Sequence, residues 1–244
     1  MHRFYLPPEQ CRGPVLTLDE RESHHAADVL RVRPGGEVTV LNGAGIEFLC
    51  QVKDVRRKAV NLTIISQKNT PPLPCPVTLV QSVPKGKLMD LIIQKSTELG
   101  VARILPLLTE RVTTHLDDAG AGHKSIKWQQ VAIEAVKQCG QPWLPQVLPP
   151  VDLKQLLSRP EKWDMVFVGS LQGDGRHPRE HFNSFHGKPK SLALWIGPEG
   201  DFTDEELDAI RASGALPITL GPLVLRCETA ALYALSIVQY ELSF

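Results

Sequence analysis

An α/β fold with a mainly parallel sheet, preceded by a small β-barrel domain, is what this sequence predicts. Three features carry that expectation. Residues 1–70 are dominated by strand-like alternation of apolar and polar positions. Positions 71–76 then hold Pro71, Pro72, Pro74 and Pro76, which forbid a continuing helix or central strand. Beyond them, apolar strand-like runs alternate with helix-like segments, the pattern of parallel strands joined by crossover helices.

The first part reads as follows. Glu37–Leu41 and Glu47–Val55 alternate, and Asn42-Gly43-Ala44-Gly45 between them tolerates positive φ, so a hairpin is expected. Ala59–Ser66 continues the pattern. One helix-like segment, Glu22–Arg31, carries Ala26, Val29 and Leu30. The expected division is 1–70 as a small β-barrel with one helix, 71–76 as an extended linker, and 77–244 as the α/β domain.

In the second part Val77–Val83 reads as a strand. Lys87–Leu99 has helical spacing at Leu88, Leu91, Ile92 and Leu99, with Gly100 placed to end it. Ile104–Leu108 is a strand and Ile126–Cys139 a helix. Asp152–Leu157 is a short helix, and Met165–Gly169 and Leu192–Ile196 are buried strands. Thr203 followed by Glu206 forms a capping box, opening a helix that ends near Gly214. Ile218–Leu220 is a short strand and Glu228–Leu242 a long final helix.

Composition narrows the function classes. The chain has 244 residues, 42% hydrophobic and 22% charged, with formal net charge zero. That is ordinary globular composition with no blanket polyanion-binding surface. Residues 1–70 hold 10 Lys+Arg against 8 Asp+Glu, a slight local basic bias. The five cysteines are scattered without a Cys-x-x-Cys, so neither a disulfide framework nor a structural zinc site is expected, and a reducing cytoplasm fits. His177, His181 and His186 lie in a Gly/Pro-interrupted stretch without a cysteine partner, so no metal is expected. No apolar run is long enough for a transmembrane helix.

Two C-terminal stretches carry the chemistry. Ile196-Gly197-Pro198-Glu199-Gly200-Asp201-Phe202 follows a strand, at the edge where open α/β sheets bind ligands. Its glycines allow close backbone approach, although four such residues also make a plain strand-to-helix turn. Leu220-Gly221-Pro222-Leu223-Val224-Leu225-Arg226-Cys227-Glu228-Thr229-Ala230 places an arginine among apolar residues just before a helix, with Glu228 near the helix N-terminus. An Arg226–Glu228 structural pair is the alternative reading there.

With these stretches, further segments carry a resemblance. They are His24-His25 with Val29-Leu30-Arg31-Val32-Arg33-Pro34-Gly35, then Gln94–Val101, Pro106–Arg111 and Ala132–Gly140. Over nearly its whole length the chain resembles the SPOUT methyltransferases, and within them the RsmE family of small-subunit ribosomal RNA uridine N3-methyltransferases. The resemblance implies a PUA-like barrel joined to a catalytic domain whose C-terminal segment forms a trefoil knot. A knot is something that connection rules would otherwise exclude. It also implies a homodimer, S-adenosyl-L-methionine as cofactor, and 16S rRNA of the small ribosomal subunit as partner.

The resemblance places the cofactor against Ile196, Gly197, Pro198, Glu199 and Gly200, and against Leu220, Gly221, Leu225, Arg226, Thr229 and Ala230. Val168, Gly169 and Leu171 would form a third wall. Arg226 and Glu228 are the catalytic candidates: Arg226 to favour anionic uracil, and Glu228 or Glu199 as base. RNA backbone would be gripped by Arg3, Arg31, Arg33, Arg56, Arg57, Lys58 and, from the second domain, Arg111. The chain departs from the family pattern at Asp201, where a third glycine is usual, at Leu223, where a basic residue is common, and at Gln141, where an arginine is common. A non-catalytic RNA-binding protein with a decayed cleft, or a SPOUT enzyme with another RNA target, are the alternatives.

Overall fold

The computed structural model describes residues 1–56, 58–111, 118–158 and 161–243, with nothing said of the side chains of 118–121. The chain forms two compact units. One is Met1–Pro72 with Ile133–Leu144; the other is Leu73–Ala132 with Pro145–Phe244.

The first unit is built on β1 (His2–Tyr5), β2 (Val15–Thr17), α1 (Glu20–His24), β3 (Glu37–Leu41), β4 (Ile46–Arg56) and β5 (Ala59–Asn69). They form a five-stranded sheet in the order β1-β3-β4-β5-β2. The expected hairpin is β3–β4, with Asn42 Oδ1 accepting from the Ala44 and Ile46 amides at 2.9 Å. Alternation along the strands buries Phe4, Leu16, Val38, Val40, Phe48, Val52, Val60 and Leu62 in one core. Asp19 caps α1, accepting from the Glu22 amide at 2.8 Å. The helix is shorter than its sequence pattern predicts. It passes into a wider turn at His25–Val29, and Val29 is exposed. The apolar spacing there is therefore only partly a core signal.

Ile133–Leu144 falls in the first unit, although sequence pattern groups it with the second. The reason is a set of polar ties. Lys137 Nζ donates to Glu22 Oε1 at 2.7 Å, both side chains being buried. Arg21 meets Glu134 at 2.8 Å, and Arg3 Nη1 donates to the Gln138 carbonyl at 3.0 Å. Trp143 Nε1 donates to the Thr70 carbonyl at 3.0 Å.

The second unit contains β6 (Val77–Ser82), α2 (Leu88–Glu98), β7 (Arg103–Leu108), α3 (Asp118–Cys139, whose end belongs to the first unit), β8 (Gln146–Val147), β9 (Val151–Asp152), α4 (Leu153–Ser158), β10 (Met165–Gly169), α5 (Pro178–Ser184), β11 (Leu192–Ile196), α6 (Asp204–Ala212), β12 (Leu216–Ile218) and α7 (Cys227–Ser243). Its sheet runs β12-β10-β11-β6-β7-β8, with β9 also on β7. Every pairing in it is parallel. The fold class is therefore α/β with a parallel sheet plus a separate small β domain, as the sequence predicts. Strands β6 and β11 are buried along their full length, as central parallel strands should be. The capping box is present: Glu206 N donates to Thr203 Oγ1 at 3.2 Å and Thr203 N to Glu206 Oε2 at 3.0 Å. Among the described residues no helix is long and apolar enough to cross a membrane.

Candidate functional site

The strands β12, β10 and β11 are neighbours, so the loops leaving their carboxyl ends converge. They enclose a cavity of about 270 Å³. Gly169, Ser170 and Leu171 supply one wall, Ile196–Glu199 and Asp201 the second, and the third comes from Ile218–Gly221, Leu223–Cys227 and Ala230.

The first wall is held by α6. Arg211 donates to Asp174 Oδ2, to Ser170 Oγ at 3.3 Å and to Gln172 Oε1 at 3.1 Å, while Ser170 Oγ donates to Asp174 Oδ1 at 2.7 Å. Gly175 is required just beyond. A Cβ there would lie 2.7 Å from Ile218 C and Thr219 N, so two backbones touch where only glycine fits.

The second wall is anchored from two other loops. Lys85 N donates to Glu199 Oε1 at 2.9 Å. Arg111 donates through Nη1 to the Gly200 and Phe202 carbonyls. Glu206, besides closing the capping box, accepts from the Glu110 amide at 2.8 Å. A Cβ on Gly197 would meet Asp201 Oδ1 at 2.9 Å, which explains the glycine. A Cβ on Gly200 would instead meet Arg111 Cδ at 3.3 Å.

The third wall carries Arg226, whose exposed side chain has no hydrogen bond or ion pair among the described residues. The Arg226–Glu228 pair that sequence left open is not formed. Glu228 Oε2 accepts instead from the Cys227 thiol at 3.5 Å. Burial pushes that thiol up to about 12, helped by the negative charges of Glu199 and Glu228. Burial likewise raises the Asp201 carboxyl, against the lowering effects of the Phe202 amide and Arg111.

The structure brings Gly169, Leu171, Ile196, Gly197, Pro198, Glu199, Leu220, Gly221, Leu225, Arg226 and Ala230 to the cavity. Val168, Gly200, Glu228 and Thr229 do not line it. Val168 is fully buried, facing the core with Val80, Ala193 and Trp195. Sequence reasoning missed Ser170, Asp201, Ile218, Thr219 and Cys227 as wall residues.

Of the basic candidates in the first unit, Arg3 is spent on Gln138, Arg56 lies 3.6 Å from Asp54, and Lys58 meets Glu20 at 3.1 Å. Arg31 and Arg33 are exposed and carry no ion pair among the described residues; Arg57 lies outside those residues. Arg111 is engaged by the second wall. Among the described residues no group of three or more His, Cys, Asp or Glu side chains is placed to hold a metal.

Residues 71–239 match the RNA methyltransferase domain family, and residues 18–65 match the RNA methyltransferase PUA domain. The ribosomal RNA small subunit methyltransferase E of Bacillus subtilis is 31% identical over 99% of this chain and 97% of its own. A methyltransferase structure from Legionella pneumophila, in complex with S-adenosylmethionine, is 36% identical with TM-score 0.88, covering 98% of this chain and 96% of that one. A ribosomal RNA small subunit methyltransferase E from Neisseria gonorrhoeae, bound to S-adenosylmethionine, is 29% identical with TM-score 0.87, covering 98% and 97%. With one family matched over most of its length and a full-length relative above 30% identity, the chain belongs to the ribosomal RNA small subunit methyltransferase E family of RNA methyltransferases.

Proposed function

We propose that the protein methylates N3 of a specific uridine in 16S rRNA of the small ribosomal subunit, with S-adenosylmethionine held in the cavity at the ends of β10, β11 and β12. The observation that carries this reading is Arg226, a guanidinium without an acidic partner among the described residues, on the wall of the cavity formed by these three loops.

The cavity suits the cofactor. Its volume of about 270 Å³ is near the lower end of small-molecule clefts, roughly 300–1,000 Å³. Gly197 admits no Cβ without displacing Asp201, and Gly221 sits at φ 113°, so two walls offer bare backbone to a flat base. Ile196 and Leu225 give apolar cover, and the Glu199 and Asp201 carboxylates suit a cationic ligand. When bound, the cofactor supplies an activated methyl group.

Uracil N3 bears a proton and is a poor nucleophile until that proton leaves. Arg226 stabilises the negative charge that develops on the base and orients its carbonyl oxygens. Leu223, Val224 and Leu225 stand beside it on the same wall. Glu199, with one oxygen on the Lys85 amide, serves as a wall anchor. Glu228 in the first turn of α7 acts through the Cys227 thiol and the helix end.

Residues 1–70 serve as the RNA-gripping domain, 71–76 as the linker and 77–244 as the methyltransferase domain. Arg31 and Arg33 are the leading backbone contacts, because no ion pair among the described residues occupies them. The C-terminal segment is threaded as a trefoil knot. Supporting this, the chain passes from β11 to β12 on the far side of β10, after which α7 packs against α2 and β11. The protein acts as a homodimer. Leu91 of α2 and Tyr233 of α7 expose apolar surface of the kind a second copy covers. It works in the cytoplasm, consistent with five free cysteines.

The test is to incubate the protein with labelled S-adenosylmethionine and small ribosomal subunits from a strain lacking the modification, then map the label. One methylated uridine, modified at N3, is expected, and Arg226→Ala should abolish transfer while leaving the fold intact. No transfer to any RNA, or wild-type turnover by Arg226→Ala, would overturn the reading.

A further inference from the structure

The loop Gly197–Phe202 carries a carboxylate at a place where backbone geometry favours glycine. Asp201 has φ 60°, one of two non-glycine residues in the left-handed region among the described residues. Such a conformation is strained for an L-residue, less so for Asp because its short side chain can bond locally. That local bond is present: the Phe202 amide donates to Asp201 Oδ1 at 2.8 Å. The second oxygen, Oδ2, has no hydrogen-bond partner among the described residues, and Asp201 is one of the residues lining the cavity.

The charges around it are set. Arg111 attracts the carboxylate but spends its Nη1 donor on the Gly200 and Phe202 carbonyls. Asp204 repels it from the start of α6. Glu199 adds a second carboxylate on the same wall, and Arg226 belongs to another wall. Asp201 is partly desolvated and forms no ion pair among the described residues. A charge in that state gains most from a cation brought into the cavity.

The methyl donor and its product differ by one charge. S-adenosylmethionine carries a sulfonium, an ammonium and a carboxylate, a net charge of +1. Methyl transfer leaves S-adenosylhomocysteine, whose thioether is neutral and whose net charge is zero. We propose that Asp201 is a selectivity residue that favours the cationic cofactor over its demethylated product, so that loss of the sulfonium charge loosens the product's hold. This rests on the cavity being the cofactor site.

The experiment is calorimetric titration of wild type, Asp201→Asn and Asp201→Gly with three probes: S-adenosylmethionine, S-adenosylhomocysteine and sinefungin. Sinefungin carries an ammonium in place of the methylsulfonium and has no methyl to transfer. In both variants the affinity ratio of each cationic probe to S-adenosylhomocysteine should fall about tenfold, the scale of one partly screened charge at short range. Affinity for S-adenosylhomocysteine itself should stay within about twofold, since its net charge is zero and its ammonium and carboxylate, common to all three probes, largely cancel. The Gly variant relieves the backbone strain and controls for misfolding. Equal weakening of all three probes assigns Asp201 only to loop shape and overturns the proposal, as does an unchanged ratio. A wild-type protein that binds none of the three removes the cofactor reading itself, and this inference with it.

Discussion

The Lys85 amide donates to Glu199 Oε1 at 2.9 Å, tying the loop after β6 to the loop after β11. A carboxylate oxygen used in this way anchors a wall and is poorly placed to collect a proton. Glu199→Gln keeps an acceptor oxygen, so its affinity for S-adenosylmethionine and its methylation rate should stay within a few-fold of wild type. Glu199→Ala should lose affinity, by about 1.5–3 kcal/mol for a hydrogen bond to a charged group. Calorimetry with single-turnover kinetics separates the two. Loss of chemistry with intact binding in Glu199→Gln would restore Glu199 as the base.

Arg111 holds the same wall through the Gly200 and Phe202 carbonyls. Arg111→Ala should therefore weaken S-adenosylmethionine binding by about tenfold to a hundredfold, the loss of charge-assisted hydrogen bonds. Affinity for RNA, measured by filter binding across a salt series, should keep its slope. A slope reduced by about one unit would instead identify Arg111 as a phosphate contact.

In the first unit, Lys137 and Glu22 form a buried ion pair at 2.7 Å, with Glu22 Oε2 left without a partner among the described residues. Lys137→Met should cost about 3–5 kcal/mol in urea unfolding at pH 8, because a buried charge is then uncompensated. The double change Lys137→Met with Glu22→Leu should recover most of it. Burial already raises the Glu22 carboxyl, while Lys137 lowers it. In the single variant the folded protein therefore holds that proton to higher pH than the unfolded chain does. Its stability should be best preserved in acid and lost as pH rises through the folded value. A Lys137→Met variant equally unstable at pH 4.5 and pH 8 would count against this account.

Cys227 lines the cavity with its thiol pushed up to about 12. Thiolate, the reactive form, should then rise about tenfold per pH unit through the alkaline range. Iodoacetamide at pH 8 should label exposed Cys139 far sooner than Cys227. S-adenosylmethionine should slow labelling of Cys227 further. Peptide mapping by mass spectrometry reads both, and prompt labelling of Cys227 at pH 8 would contradict the environment described for it.

Where a strand is an unbroken apolar run, the elements were legible. Leu192–Ile196 and Met165–Gly169 are strands with the predicted bounds, because an apolar run in a central parallel strand leaves little choice. Strand β12 is Leu216–Ile218 where the sequence pattern indicates Ile218–Leu220. Pro217 reads as a break, yet at the sheet edge a missing amide costs little. Helix α5 was hidden because Pro178 looks like punctuation, whereas it sits in the first turn behind His177, whose Nδ1 accepts from the Arg179 amide. The two-residue strands β8 and β9 are too short to show any period.

At the site, the glycines and Arg226 stand out locally as residue types with few other uses. The anchors do not. Lys85 and Glu199 are 114 positions apart, and Arg111 and Gly200 are 89 apart, so only the folded sheet brings them together. Arg111 looked like a surface cation for the same reason.

Glu206 spends one oxygen on Thr203, at the start of its own helix, and the other on Glu110 in the loop after β7. A cap is normally a local matter that can fray and reform by itself. Here one carboxylate makes two distant events a single cooperative unit. When the first turn of α6 opens, the Glu110 amide is released with it, and beside that amide stands Arg111, which braces the cavity wall. The Thr203 and Glu110 amides should therefore share one opening free energy in hydrogen exchange, and a ligand that stiffens the cavity should slow both together.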